Sequence, residues 1–328
     1  MFFNMITITI HTASLDNFLI SQGIPSYFEA VVENLSHQTF KDFELVFVDT
    51  YYDENKEKFN QVKSTFTIKH VPIHYNHRYW YDQGYVYISA AKNTGIIYAD
   101  GELIISFDDG EFFPETLLNN YWDHYKNGHL MHAYHHRMKS IETINGLVKN
   151  PINGDIYIND SRKFNSDSCF HRNGTWTYAG TSFSLEDALI LNGFNEKLDG
   201  YKSLEDCDFG LRLVMLNKKF VIDKKFGFIY ILDHPSYIDQ NKKLIKEFIA
   251  VENHGLLMCA KELFEIEANK YPITDKHLEI IRRETIKYRN FDPLSEGNKD
   301  KLNHWLKTPT FNLRKEREEI RNSKDWKW

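Results

Sequence analysis

A chain of 328 residues, 42% hydrophobic and 15% aromatic, can bury one large core or two ordinary ones, which excludes disorder of the whole. Its net charge of −6 gives no general attraction to nucleic acid or to an anionic membrane. The charge is uneven, with 19 Lys+Arg and 15 Asp+Glu in residues 240–328 (net +4) and therefore −10 in residues 1–239, and the basic tail reads as a solvated helical surface.

The three cysteines Cys169, Cys207 and Cys259 are odd in number and widely spaced. They form no metal pattern and no disulfide framework, which fits a reducing compartment. The N-terminus alternates as a strand rather than opening on a basic region and an apolar helix. No apolar run approaches the ~20 residues that span a bilayer. These features predict a soluble, cytoplasmic chain without a transmembrane segment.

Strands and helices alternate through the first 125 residues. A strand is predicted over about 5–12. Ser26 and Glu29 form a capping box, and Phe28, Val31, Val32 and Leu35 mark one helix face. Residues 44–50 read as a second strand, 54–64 as a polar helix and 66–73 as a third strand. A helix over 88–99 ends at Asp100-Gly101, and a fourth strand follows over 102–108. Pro114, at a first helical position, opens a helix to about Asn127. This repeated pattern predicts a mostly parallel sheet with helices on both faces.

Residues 128–178 lose the alternation and read as a strand with long loops. A strand over 178–185 and a short helix over 186–192, closed by Gly193, come next. The spacing then predicts an amphipathic helix over 204–217 and strands over 219–222 and 227–232. From about 238 the pattern is helical and charged, with a packed face at Leu244, Phe248, Val251, Leu256 and Leu257. The charge-dense run from about 313 is expected to fray.

The most telling segment is Ile104-Ile105-Ser106-Phe107-Asp108-Asp109-Gly110, an apolar strand that stops at paired carboxylates. In open α/β sheets ligands bind beyond the carboxyl ends of the strands. Two acids there suit a hard divalent cation held against phosphates, although Asp-Asp-Gly is also good turn chemistry. Thr12-Ala13-Ser14 and Asp49 end the first two strands, and Asp49 is placed either to accept from a nucleoside or to make a turn. Lys92 and Asn93, in Ala91-Lys92-Asn93-Thr94-Gly95, bring a cation and an amide toward phosphates or a base. Glu205 and Asp206 open a helix, where acids favour the macrodipole; at a crevice one of them could take a proton from an incoming hydroxyl. His234, held extended by Pro235, could complete a metal's coordination. His129, His132, His135 and His136 are zinc-type ligands by residue type, but on a strand their side chains divide between two faces, which argues against a shared ion. Trp176 and Tyr178 could stack on a sugar, and Arg78, Tyr79 and Trp80 could close over a donor.

In order and spacing these motifs resemble those of the GT-A-fold inverting glycosyltransferases of family 2, over residues 5 to about 236. The first strand running into Thr12-Ala13-Ser14 looks like the family's nucleotide-binding start, without its usual proline and basic residue, and Leu45-Val46-Phe47-Val48-Asp49 looks like its nucleoside-binding strand, with Thr50-Tyr51-Tyr52 replacing the second acid, glycine and serine. Ala91-Lys92-Asn93-Thr94-Gly95 is similar to an alanine-arginine-asparagine-x-glycine segment. Phe107-Asp108-Asp109-Gly110 looks like the metal-binding acid motif, which makes Asp109 the metal candidate and Asp108 a ribose or metal-shell contact. Gly180–Ser184 with Leu191–Glu196 is similar to the acceptor-side strand and turn. Glu205-Asp206-Cys207-Asp208-Phe209-Gly210-Leu211-Arg212 is close to the segment carrying the base, a role that transfers to Asp206. His234 matches a histidine that binds the metal in some members.

The resemblance implies a GT-A catalytic domain over 1–238, with a nucleotide-sugar half (1–127) and an acceptor half (128–238), and a charged helical extension over 239–328. It implies transfer of a sugar from a nucleotide diphosphate sugar, expected to be a UDP-sugar, to an acceptor hydroxyl with Mn²⁺ or Mg²⁺. The acceptor stays open between a glycan, a lipid-linked glycan, a protein and a modified nucleobase. Homo-oligomerisation through the C-terminal helices is a further expectation. The alternatives are a nucleotidyltransferase on the same fold, against which stands the lack of a glycine-rich triphosphate loop near the first strand, and a non-catalytic nucleotide-sugar-binding module.

Overall fold

In strand β1 (Phe3–Thr12), Ile6, Ile8 and Ile10 alternate with Thr7 and Thr9, which puts the isoleucines on one face of the sheet. In the computed structural model all three are fully buried, against Tyr27, Phe28, Val31 and Leu35 of helix α1 (Tyr27–Ser36) and Leu117, Leu118 and Tyr121 of α4 (Leu117–Lys126). The structure describes residues 3–12, 26–138, 143–144, 147–148, 156–157, 177, 179–200, 205–223, 225–232, 265–289 and 306–323.

The remaining strands of the main sheet are β2 (Phe43–Asp49), β3 (Thr67–Val71), β4 (Gly101–Asp108), β6 (Leu130–His132), β11 (Thr181–Ser184) and β12 (Phe220–Ile222). Their order is β12-β6-β11-β4-β1-β2-β3. β1 pairs in parallel with β2 and β4, and β2 with β3, whereas β11 runs antiparallel to β4 and β6. A smaller sheet joins β5 (Glu111–Phe112), β7 (Tyr134–Met138), β10 (Ile156–Tyr157) and β13 (Phe228–Leu232) in the order β10-β7-β13-β5. A hairpin of β8 (Thr143–Ile144) and β9 (Leu147–Val148) stands apart. The mixed, mostly parallel sheet follows the expected alternation, with β11 running against both of its neighbours.

Helix α2 (Tyr52–Phe59) follows β2. On the face opposite α1 lie α3 (Ile88–Tyr98), α5 (Leu185–Ile190) and α6 (Glu205–Met215). Their Ile96, Ile97, Leu185, Ala188, Phe209 and Leu213 share a core with Ile104, Phe183 and Leu313. The described residues of the C-terminal part include helices α7 (Asp275–Arg289) and α8 (Leu313–Asn322). Ser26 caps α1 as anticipated, its hydroxyl accepting from Glu29 N at 3.5 Å. Pro114 lies three residues ahead of α4, whose N-cap is Thr116; the Pro114 carbonyl accepts from Leu117 N at 3.1 Å, so the proline makes the turn before the helix rather than its first position. The apolar face expected around Leu244 to Leu257 lies outside the described residues.

The expectation that residues from about 313 fray is overturned for 313–323, the described part of that run. Asn312 caps α8 by accepting from Lys315 N at 2.9 Å, and Leu313 is fully buried. The charged positions are spent on docking. Arg314 pairs with Glu186 at 2.5 Å, Arg317 donates to the Ile97 carbonyl at 2.7 Å, Arg321 binds Asp100, and Glu316 accepts from His77 and Asn76. Asp100 also holds Lys69, whose ammonium lies 2.7 Å from it and 2.7 Å from Glu44. A charge run reads as solvent-facing only while its partners are unknown, and here they stand on α3, α5 and the sheet edge. Leu313→Ala is expected to lower unfolding stability by about 3 kcal/mol in urea titration. A loss below about 0.5 kcal/mol would mean that α8 is merely surface-attached.

Candidate active site

The chain runs outward from β1 through β2 to β3 and then returns to β4 on the other side of β1. In open α/β sheets such a reversal of strand order marks the ligand crevice, here at the carboxyl ends of β1 and β4. In register, His11 lies opposite Asp108 on one side and Val48 on the other, and Thr12 lies opposite Asp49. The residues that end these strands therefore meet at one edge of the sheet.

Asp108 and Asp109 turn the chain from β4 into β5. Gly110 completes the turn at φ +81°, a left-handed conformation that glycine adopts without a Cβ penalty. The Tyr27 hydroxyl pins it from below, 3.3 Å from the Glu111 carbonyl and 3.4 Å from that of Asp108. Asp109 Oδ2 accepts from the Thr12 hydroxyl at 3.2 Å, and Asp108 Oδ1 lies 3.2 Å from His11 Nε2. Burial pushes the His11 imidazole down to about 4, against the pull of Asp108. The Asp108 carboxylate is 41% exposed and Asp109 is half-buried. Two partly open oxygen donors at a strand-end turn are the donor chemistry of Mn²⁺ or Mg²⁺. His234 lies outside the described residues.

Across the crevice α6 begins with Glu205 and Asp206, both nearly buried. Asp206 Oδ1 accepts from Cys207 N at 2.8 Å, and its backbone carbonyl accepts from the Thr177 hydroxyl at 2.7 Å. Lys92, from α3, places its ammonium 3.9 Å from Glu205 Oε1 and 5.1 Å over the Phe194 ring. Burial, then the Asp206 charge, pushes Glu205 up to about 7, opposed by Lys92. Asp206 is also raised, by burial with a contribution from Asp108, and again Lys92 opposes. Asp108 and Lys92 thus both act on the proton affinity of Glu205 and Asp206, although the four residues come from three separate stretches of chain. An aspartate with a raised proton affinity and one anchored oxygen can receive a proton.

Several sequence candidates have other duties. Asn93 is fully buried. Its amide donates to Phe194 O at 2.9 Å and Glu196 Oε1 at 2.8 Å, and its carbonyl oxygen accepts from Phe194 N at 2.7 Å. It braces the turn at Gly193, where a Cβ would lie 2.2 Å from Asn93 Oδ1. The Asp49 side chain is fully buried and accepts from Tyr51 N at 2.8 Å and the Asn55 amide at 3.0 Å, with His70 Nε2 at 3.0 Å. It ties down the start of α2. Trp80 is core rather than lid, 1% exposed, with its indole N–H on the Glu196 carbonyl at 2.9 Å. Arg78 pairs with Asp82 at 3.0 Å. Ala13, Ser14, Trp176 and Tyr178 lie outside the described residues. His132 and His135 bond separately to Thr181 and to the Ala179 carbonyl, each at 2.8 Å.

Other contributors were not anticipated. His11 had a weak signal, as the polar member of an apolar-alternating strand one residue before Thr12. Asp199 had none: its carboxylate accepts from Ser89 N at 2.8 Å and Ala90 N at 3.0 Å, capping α3 from a distant loop because Tyr87, the local N-cap, supplies no side-chain bond. Asp208 and Arg212 form a buried i,i+4 fork, with Nε 2.8 Å and Nη2 3.0 Å from the carboxylate oxygens, that stiffens α6 behind the acids.

The folded state keeps the Glu205 proton up to about pH 7, whereas an unfolded glutamate loses it near about 4.3. This group's stabilising contribution is full below the unfolded value and is lost as pH rises through the folded one. Glu205→Gln is therefore expected to raise Tm more at about pH 8 than at about pH 5. Thermal melts showing the same shift at both would remove the buried-charge account.

No family model matches the chain, and no curated protein matches it. Solved structures do. The structure of S. aureus TarS 1–349 in complex with UDP-GlcNAc shares 12% identity at TM-score 0.50, over 93% of this chain and 79% of that one. A longer S. aureus TarS structure gives 13% identity at TM-score 0.47, over 93% and 48%. The 4-diphosphocytidyl-2C-methyl-D-erythritol synthase of Anaerococcus prevotii gives 15% at TM-score 0.38, over 69% and 89%. Of these three the first alone is similar enough to weigh, and at its identity what it establishes is the architecture: the chain has the GT-A fold.

Proposed function

We propose that this chain is a metal-dependent inverting glycosyltransferase of the family 2 type that moves a sugar from a nucleotide diphosphate sugar to an acceptor hydroxyl. The observations that carry the reading are the strand-end turn of Asp108 and Asp109, held by His11 and Thr12, and the buried Glu205–Asp206 pair with Lys92 3.9 Å from Glu205. TarS, which shares this architecture, is in complex with UDP-GlcNAc, and that favours a UDP-sugar as donor here. No helix among the described residues is long and apolar enough to cross a membrane.

In this reading Asp206 receives the acceptor hydroxyl's proton as the oxygen attacks the anomeric carbon. Attack comes from the face opposite the diphosphate, and the carbon–oxygen bond to the diphosphate breaks with its electron pair leaving on phosphate. One base suffices for such a displacement, and inversion follows from the single backside attack. Asp109, with Asp108, would hold Mn²⁺ or Mg²⁺, which supplies neutralisation of charge on the departing diphosphate. Lys92 adds a fixed positive charge beside the same acids and keeps Glu205 and Asp206 from both retaining protons. His11 and Thr12, bonded to Asp108 and Asp109, orient the two carboxylates. Preorganised charge of this kind is worth on the order of 10²-fold in rate per group.

Incubation with a panel of nucleotide sugars and Mn²⁺ is expected to release free nucleoside diphosphate slowly by hydrolysis. Asp206→Asn should lower turnover by about 10²–10⁴-fold and leave donor affinity nearly intact, as measured by calorimetry. Full turnover in that variant would overturn the base assignment. Asp109→Ala should abolish metal-dependent donor binding, and unchanged affinity would take it out of the metal site. Because Asp206 is pushed up by burial, the acid limb of the transfer rate is expected above about pH 4, with activity rising as the group loses its proton.

A further inference from the structure

Behind α3, away from the crevice, three side chains that the proposed reaction does not use come together. His74 and His77 bracket the single 3₁₀ turn Tyr75–His77, whose three-residue period brings side chains at i and i+3 over one another. Glu316 of α8 reaches the same place from the far end of the chain, its Oε2 lying 2.8 Å from His77 Nε2. One ligand atom from each of the three lies within 4.8 Å of the others. All three residues are buried, at 3%, 0% and 8% exposure for His74, His77 and Glu316.

Three features of the surroundings go beyond proximity. Neither ring nitrogen of His74 has a hydrogen-bond partner among the described residues, and orphaned buried polar atoms call for an explanation. His77 turns its Nδ1 to the Glu196 carboxylate, and Asn76 donates to Glu316 Oε1 at 3.0 Å. A carboxylate on the far nitrogen of an imidazole, and a hydrogen bond to the spare oxygen of a carboxylate, are the outer partners that orient metal ligands. Finally, two buried glutamates, Glu196 and Glu316, both contact the one His77 imidazole.

We propose that His74, His77 and Glu316 form a binding site for a borderline divalent transition-metal ion of the Zn²⁺ type, which staples α8 to the GT-A domain. Two imidazole nitrogens and one carboxylate oxygen suit Zn²⁺ better than the hard cations favoured by Asp108 and Asp109. Tetrahedral ligands at ~2.0–2.1 Å from zinc stand ~3.3–3.4 Å apart. To reach that spacing the His77–Glu316 pair, now 2.8 Å apart, opens slightly, and the three ligand atoms, now within 4.8 Å of one another, draw together. The dication takes the place of the proton on His77 Nε2 and offsets Glu196 and Glu316 together. His74 gains the partner that it lacks, and the staple joins the loop after β3 to the C-terminal helix. The site does not depend on the transferase reading.

The test uses the full chain, stripped with chelator and titrated with Co²⁺ as a spectroscopic probe and Zn²⁺ by calorimetry. The expected result is a set of visible Co²⁺ bands that Zn²⁺ displaces, a rise in Tm with Zn²⁺, and Zn²⁺ affinity at least about ten-fold weaker in His74→Gln. Asp109→Asn should leave the bands unchanged. Wild type without bands, or bands that survive His74→Gln but vanish in Asp109→Asn, would overturn the proposal. Should His74→Gln fail to fold, X-ray absorption of the Zn²⁺-loaded wild type decides: a shell with two imidazoles supports the site, and an all-oxygen shell sinks it.

Discussion

The crevice rests on a burial of like charge. Glu205 and Asp206 are withdrawn from water beside each other and within the field of Asp108, and the ammonium of Lys92 stands among them 3.9 Å from Glu205. Taking carboxylates out of water costs several kcal/mol each unless charge or hydrogen bonds compensate. The fold meets that cost with means placed in advance: the Cys207 N–H on Asp206, the first turn of α6, and Lys92. What remains uncompensated appears as raised proton affinity, which is the property that a proton acceptor at neutral pH needs.

Much of the architecture serves to hold those groups still. Lys92 is aimed by α3, whose N-terminus is capped by Asp199 and whose next residue, Asn93, is bonded three times to the turn at Phe194–Glu196. That turn supplies the Phe194 ring beneath the Lys92 ammonium. The acids of α6 are stiffened by the Asp208–Arg212 fork. On the opposite wall, Tyr27 pins the turn that carries Asp108 and Asp109. Each of these candidate site side chains is therefore backed by a buried polar contact, the arrangement that holds a reacting group in place.

The C-terminal helix belongs to the same logic. Through Arg317 and Arg321 it closes the ion cluster of Lys69, Glu44 and Asp100, and through Glu316 it meets His77 and, beyond it, Glu196. Glu196 is also bonded to Asn93. A continuous set of buried polar contacts thus runs from α8 to the residue beside Lys92, so the docking of a remote helix and the stiffness of the crevice wall are physically connected.

The chain's own pattern was enough to determine the alternation of strands and helices, the end of β4 at paired acids, and the acidic opening of α6, because those follow from local periodicity, caps and glycine chemistry. The seven strands that alternation places correspond within a few residues to β1 to β4 and β11 to β13, whereas β5 was not anticipated and residues 128–178, read as one strand with long loops, contain β6 to β10 among the described residues. Tertiary structure alone decided which of the marked residues meet. Asn93 and Asp49 lie in motifs of functional appearance, yet their oxygens are spent on neighbours that no spacing reveals. His11 faces Asp108 only because β1 lies between β2 and β4. The run after 312 looks solvated until its partners on α3, α5 and the sheet edge are in place. Local sequence governs the dihedral preferences and apolar faces of each element, whereas the partner of a buried charge is set by strand order and helix docking, which no single segment encodes.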